Sequence, residues 1–65
     1  MITTKVKAAI YNEPSLKVSQ INVETFKGEV QLSGFVDSPQ SVNKAGEVAH
    51  GVNGVKSVKN NLIVK

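Results

Sequence analysis

Two runs of alternating apolar and polar residues, separated by a two-residue turn, constrain this chain most. One run covers residues 21–26 and the other covers residues 30–36, and such alternation is typical of strands with one buried face. Between them, Lys27 and Gly28 occupy the site where a tight hairpin needs positive φ angles, which glycine adopts readily. The pattern therefore predicts an antiparallel β-hairpin at the centre of the chain.

A helix is predicted before the hairpin, over about residues 2–12. Its apolar side chains recur at three- and four-residue spacing, which places them on one helical face. Thr3 or Thr4 is the expected N-cap, because a hydroxyl there accepts a hydrogen bond from a free backbone N–H group. The segment ends before Pro14, since proline pushes the preceding residue out of helical geometry.

A second helix is predicted after the hairpin, over residues 39–50. Ser38 is the expected N-cap and Pro39 fits the first helical position, where its missing N–H group costs nothing. Gly46 lies inside this helix and costs about 1 kcal/mol relative to alanine. Small apolar residues along one stripe would let the helix lie close to a sheet.

A third strand over residues 56–64 completes the predicted order helix, strand, strand, helix, strand. The second strand, second helix and third strand form a βαβ unit, which makes its two strands parallel and the sheet mixed. The predicted fold class is α+β, an αββαβ two-layer sandwich with two helices on one face of a three-stranded sheet. A chain of 65 residues suffices for one small domain, here residues 1–65.

Composition argues against an enzyme, a metal protein or a nucleic-acid binder. The chain has no cysteine and one histidine, His50, and its five carboxylates are dispersed, so we expect no catalytic residue, metal or cofactor. The net charge is +3, yet all eight cationic residues are lysines, and without arginine tight phosphate recognition is not expected. The Gly51-Val52-Asn53-Gly54 segment matches the G-x-x-G loop of KH domains, but a helix cap followed by a turn fits its context better.

Longer patterns in the chain resemble the BON domain, named after osmotically inducible and nodulation proteins. They are Gly28-Glu29-Val30-Gln31-Leu32-Ser33-Gly34-Phe35-Val36-Asp37-Ser38, and the later run Gly54-Val55-Lys56-x-Val58-Lys59-Asn60-x-Leu62-x-Val64. Gly46 and Phe35 depart from the residues usual in the family. The positions expected to serve the architecture rather than binding are Gly28, Leu32, Gly34, Ala49, Gly54 and Val58.

The resemblance implies an αββαβ domain of the bacterial cell envelope with a binding role and no catalytic residues. The proposed roles in the family are association with phospholipid membranes, in an osmotic or envelope stress context, and a chaperone-like or scaffolding contact with envelope proteins. A second BON domain in tandem is a further implied partner. The implied location is periplasmic, although the N-terminal residues lack the apolar stretch of a signal peptide, so an exported form would need a targeting segment not seen here.

Two surfaces are candidates for binding. The outer side of the first helix and the following loop carries Lys5, Lys7, Tyr11 and Lys17, a combination that suits a lipid headgroup boundary and also an ordinary solvated helix face. The open face of the sheet is expected to present Phe26, Phe35 and Ile63, bordered by Lys59 and Lys65. These residues fit either a patch for a protein partner or cross-strand pairs that only stabilise the sheet. An envelope protein or a second domain could also add a strand at an edge of the sheet, beside the first strand over residues 21–26 or beside the third.

Overall fold

The computed structural model describes residues 2–14, 16 and 20–65. Helix α1 spans Ile2–Tyr11, strands β1 and β2 span Ile21–Phe26 and Glu29–Val36, helix α2 spans Pro39–His50, and strand β3 spans Ser57–Val64. The sheet has the order β1-β2-β3, with β1 and β2 antiparallel and β2 and β3 parallel. This mixed sheet with two helices confirms the predicted αββαβ class.

In the hairpin turn, a lysine as well as a glycine adopts a positive φ angle. Phe26 pairs directly with Glu29, which leaves Lys27 and Gly28 as the two turn residues. Both have positive φ, 50° at Lys27 and 84° at Gly28, as a type I′ turn requires. Lysine rarely adopts a positive φ angle, so the backbone conformation at Lys27 makes the turn less stable than two glycines or asparagines would.

Helix α1 begins at Ile2, so Thr3 and Thr4 lie inside the helix and neither is its N-cap. That prediction was wrong because it considered only local hydrogen bonding. The Thr3 hydroxyl instead lies 2.6 Å from the hydroxyl of Thr25 and links the helix to β1. On the inner side of the helix, Val6 and Ile10 are fully buried.

Helix α2 begins as predicted. The Ser38 side chain accepts a hydrogen bond from the backbone N–H of Ser41, and Pro39 occupies the first turn. At the other end Gly51 has an ordinary right-handed conformation, so the cap does not depend on glycine there. Ala45 and Ala49 are fully buried on the helix face that packs on the sheet, which agrees with the predicted stripe of small residues.

One apolar core lies between the two helices and one face of the sheet. Strand β2 contributes most to it, because Val30 and Leu32 are fully buried at the centre of the sheet. Gly34 follows on the same face with φ of 123°, and a β-carbon there would collide with the carbonyl oxygen of Gln20. The buried core residues are Val6, Ile10, Leu16, Ile21, Val23, Val30, Leu32, Val36, Ala45, Ala49 and Leu62.

Candidate binding surfaces

The outer face of α1 presents three of the four residues predicted there. Lys5, Lys7 and Tyr11 are all exposed, and 74% of Tyr11 is accessible to solvent. At 100° per residue, Lys7 and Tyr11 lie on adjacent rows, whereas Lys5 lies about 160° from Lys7. The two lysines therefore flank the exposed face rather than cluster on it. Lys17 lies outside the described residues.

The charge of this face is one-sided, because the sequence of α1 contains no carboxylate. Glu13, just beyond the helix, forms an ion pair with Lys44 of α2, with 3.8 Å between the Nζ and Oε2 atoms. Glu13 thus pairs with a lysine of α2. The outer face of α1 therefore presents the exposed Tyr11 between Lys5 and Lys7, while its inner face packs in the core.

The open face of the sheet does not present its five predicted residues as one surface. The register places Phe35 directly beside Ile63, at the ends of β2 and β3. Phe26 pairs with Glu29 at the opposite end of β2, six residues and roughly 20 Å from Phe35. Lys59 lies between these ends, beside Gln31.

The first apolar area is the Phe35–Ile63 pair. Phe35 and Ile63 are 45% and 57% exposed, and the Lys65 ammonium group lies 4.8 Å from the centre of the Phe35 ring. This is a cation–π contact, which at an exposed site stabilises by about 0.5–1 kcal/mol. Part of the apolar area of this pair is therefore already in contact with Lys65.

The second area lies along the free edge of β1. Phe26 is 73% exposed, and the Lys27 ammonium lies 5.4 Å from the centre of its ring. A groove lies at this edge and is lined on the helix side by Thr3 and Thr25. On the open side it is lined by Phe26 and two carboxylates, Glu24 and Glu29. We call this feature the β1 groove.

The opposite edge of the sheet carries a polar residue that sequence reasoning did not single out. Asn60 lies on the helix-facing side of β3, where its Nδ2 donates to the carbonyl oxygen of Val42 in α2 over 2.8 Å. Its Oδ1 accepts a hydrogen bond from the backbone N–H of Leu62. A β-carbon at Gly46 would lie only 2.9 Å from Asn60 Nδ2, so the glycine makes room for this contact. The signal in the sequence was an asparagine on an apolar face opposite a glycine in a helix.

The residues expected to serve the architecture lie where tight packing or turns need them. Leu32 and Ala49 are fully buried, and Val58 is partly buried against the core. Gly54, with φ of 97°, forms the turn before β3, and a β-carbon there would meet the Ile2 side chain at 3.4 Å. This turn leads into a strand, unlike the helix-to-helix loop of a KH domain.

The described part of the chain contains no group of three or more histidine, cysteine, aspartate or glutamate residues arranged to hold a metal ion. His50 lies exposed in the last turn of α2. Within the same residues, no helix has the length and apolar character needed to cross a bilayer. The described residues present lysines, exposed aromatic rings and the edge of β1 at the surface.

Comparison with known proteins identifies a relative and a matching family model. The chain is 45% identical over 64 residues to osmotically-inducible protein Y of Escherichia coli (strain K12), which covers 98% of this chain. The chain spans about a third of that relative's length, 32% of it. Neither the relative's name nor the family description denotes an enzyme. The family model for the BON domain matches residues 1–65, and the chain belongs to the BON domain family.

Proposed function

We propose that this domain is a non-enzymatic binding module of the bacterial cell envelope that associates with anionic phospholipid surfaces during osmotic or envelope stress. The envelope and stress setting is supported by the family and by the name of the osmotically inducible relative. The observation that carries the lipid assignment is the outer face of α1, where the exposed Tyr11 lies between Lys5 and Lys7 and the helix has no carboxylate.

The physical basis is a weak attraction of charge together with an amphipathic ring. A lysine close to an anionic membrane contributes about 1 kcal/mol, so Lys5 and Lys7 together strengthen binding by roughly 30-fold at low salt. Tyr11 adds a side chain that favours the boundary between headgroups and acyl chains. Because Val6 and Ile10 are fully buried in the core, α1 contacts the membrane by its outer face without inserting its apolar side.

Such binding is reversible and sensitive to salt, since exposed charges are screened beyond about 8–10 Å at physiological ionic strength. Firm attachment would require a second binding module on the same chain, which raises the effective concentration of the first. The relative's greater length is compatible with a tandem arrangement, in which a second BON domain supplies this second contact.

The test is an NMR amide-shift titration of the labelled domain with vesicles of phosphatidylglycerol or of phosphatidylcholine, each at low and high salt. We expect perturbation at α1 with the anionic vesicles only, and loss of that effect at high salt. The double variant Lys5→Gln/Lys7→Gln should weaken binding by roughly 10- to 30-fold. The control Lys59→Gln/Lys65→Gln removes the same charge from the opposite face and should retain most of the affinity.

If the control pair weakens binding and the α1 pair does not, the lipid contacts the sheet and our assignment of the surface is wrong. If no vesicle perturbs any amide, the isolated domain is not a lipid-binding module. Tyr11→Ser separates the ring from the charges, because it should lower the affinity at low salt without changing how steeply binding falls as salt is added.

A chaperone-like or scaffolding role for envelope proteins is a second candidate, favoured by the Phe35–Ile63 pair. These two side chains form an exposed apolar area on the side of the sheet that no helix covers. Binding of an unfolded outer-membrane protein through this area should survive high salt. Phe35→Ser should weaken it several-fold, and client binding unchanged by that substitution would refute the role of this pair.

A further inference from the structure

The β1 groove has the features of a site for strand addition. In the sheet formed by the described residues, strand β1 lies at one edge and pairs with β2 on its inner side. In a hairpin with a two-residue turn, the flanking residues Phe26 and Glu29 form a hydrogen-bonded pair, and hydrogen-bonded and non-bonded pairs then alternate along the ladder. The backbone N–H and C=O groups of Val23 and Thr25 therefore point outward along the free edge.

The two edges of the sheet differ in this respect. At the β3 edge, Asn60 satisfies the backbone N–H of Leu62 with its own side chain, and its amide is held by α2. Edge strands with unsatisfied backbone groups attract other strands, and such side-chain contacts reduce that tendency. Among the described residues at β1, a side-chain bridge joins Thr3 and Thr25 through their hydroxyls on the helix side, and it does not involve the backbone groups of the edge.

Charge indicates which strand would fit at β1. Glu24 and Glu29 are diagonal neighbours on the open face and border the groove beside the exposed ring of Phe26. The chain as a whole is cationic, with a net charge of +3, so the two carboxylates at this edge are a local exception. The Phe26 ring already lies 5.4 Å from one ammonium group, that of Lys27, and it can accept another cation in the same way.

A second copy of this chain is a poor occupant of the β1 groove, because its own β1 strand carries the same negative charge. Pairing β1 with its own copy about a twofold axis near the centre of the strand would bring the two Glu24 side chains to the same or diagonal positions on one face. Like charges at such positions destabilise a sheet. We infer that the β1 groove receives an extended segment of another protein that carries lysine or arginine on alternate residues, added to the sheet as a fourth strand.

Strand addition of this kind takes affinity from main-chain hydrogen bonds and specificity from alternate side chains. In the added strand, small or apolar side chains would face Thr3 and Thr25 on the helix side. The cationic side chains would face Glu24 and Glu29 on the open side and stack on Phe26. This surface and its partner differ from the outer face of α1, so the inference stands apart from the proposed lipid function.

The experiment uses three blocked eight-residue peptides added to the labelled domain: one alternates lysine and valine, one has glutamate in place of lysine, and one repeats the first with a central proline. We expect the lysine peptide to shift the amides of Val23 and Thr25 and to slow their hydrogen exchange. The glutamate and proline peptides should bind at least several-fold more weakly. Equal binding of the glutamate peptide, or shifts confined to other elements, would overturn the inference.

Two matched variants test the charge argument in a domain that remains folded. Glu24→Gln should weaken the lysine peptide by about two- to five-fold, while Glu47→Gln, which removes one exposed charge from α2, should change it little. Lys27→Gln should strengthen binding, because it frees the Phe26 ring. Equal losses in Glu24→Gln and Glu47→Gln would refute a local role of the groove, and so would concentration-dependent shifts without peptide, which would assign the edge to a second copy.

Discussion

Gly46 lies in the middle of α2, where alanine would ordinarily stabilise a helix by about 1 kcal/mol. In this domain we expect Gly46→Ala to destabilise instead. The new β-carbon would lie 2.9 Å from Asn60 Nδ2, so the asparagine side chain must move away. That movement breaks its hydrogen bond to the Val42 carbonyl and weakens its contact with the Leu62 N–H group.

The magnitude follows from these two contacts. Each hydrogen bond contributes about 0.5–1.5 kcal/mol net, and the bond to Val42 is exposed and belongs at the lower end. Losing the first bond and weakening or losing the second costs about 1–2 kcal/mol, which equals or exceeds the gain of about 1 kcal/mol from helix propensity. The free energy of unfolding should therefore fall by up to about 1 kcal/mol in Gly46→Ala, instead of rising by about 1 kcal/mol.

The decisive comparison is the same substitution in an Asn60→Ala background. There the obstructing amide is absent, so Gly46→Ala should stabilise by about 1 kcal/mol, and its effect changes sign. Urea unfolding followed by far-UV circular dichroism measures all four proteins, with an unchanged slope as the sign of a common two-state transition. If Gly46→Ala stabilises the unmodified chain as much as the Asn60→Ala chain, the Gly46–Asn60 contact has no energetic role and the reasoning is wrong.

Substitutions at three further positions test the core, the close backbone approach and the turn, the core and the turn by the same unfolding measurement. Leu32→Ala should cost about 2–5 kcal/mol, because the side chain is fully buried at the centre of the sheet, and a change below about 1 kcal/mol would contradict the strand register. Gly34→Ala should leave the domain largely unfolded, since φ is 123° and a β-carbon would collide with the Gln20 carbonyl, and a native-like NMR spectrum would refute this. Lys27→Asn should stabilise by a few tenths of a kcal/mol, because asparagine adopts positive φ more readily, whereas Lys27→Val should destabilise.

The elements were predictable because each has a periodicity and a clear end. Alternation defined the two hairpin strands, and Pro39 after Ser38 defined the start of α2. The differences in bounds are single residues at ends, such as β2 beginning at Glu29 and β3 at Ser57. The N-cap of α1 was misjudged because Thr3 has a tertiary partner, Thr25, that lies 22 residues away and that local patterns do not reveal.

The candidate surfaces were only partly predictable. Alternation identifies the face on which Phe26 and Phe35 lie, but their separation depends on the strand register. The two-residue turn would have revealed that register, because it pairs Phe26 with Glu29 and leaves Phe35 six residues further along β2. The β1 groove, in contrast, depends on where α1 lies beside the sheet, which no pattern in the sequence determines.

The two proposed sites carry opposite charge and lie on neighbouring elements, because the Thr3–Thr25 contact joins α1 directly to β1. Each site therefore acts on the other's ligand through the local field. Neutralising Glu24 should weaken the lysine peptide and, by removing a nearby anion, leave anionic vesicle binding unchanged or slightly stronger. Neutralising Lys5 and Lys7 should weaken binding of the anionic vesicles and leave binding of the lysine peptide unchanged or slightly stronger. High salt weakens both interactions by screening, so the salt dependence cannot distinguish the two sites. The opposite effects of the variants on the two ligands can distinguish them. Parallel losses for both ligands in either set of variants would mean that one surface binds both, and that the division between a lipid-facing helix and a strand-accepting edge is wrong.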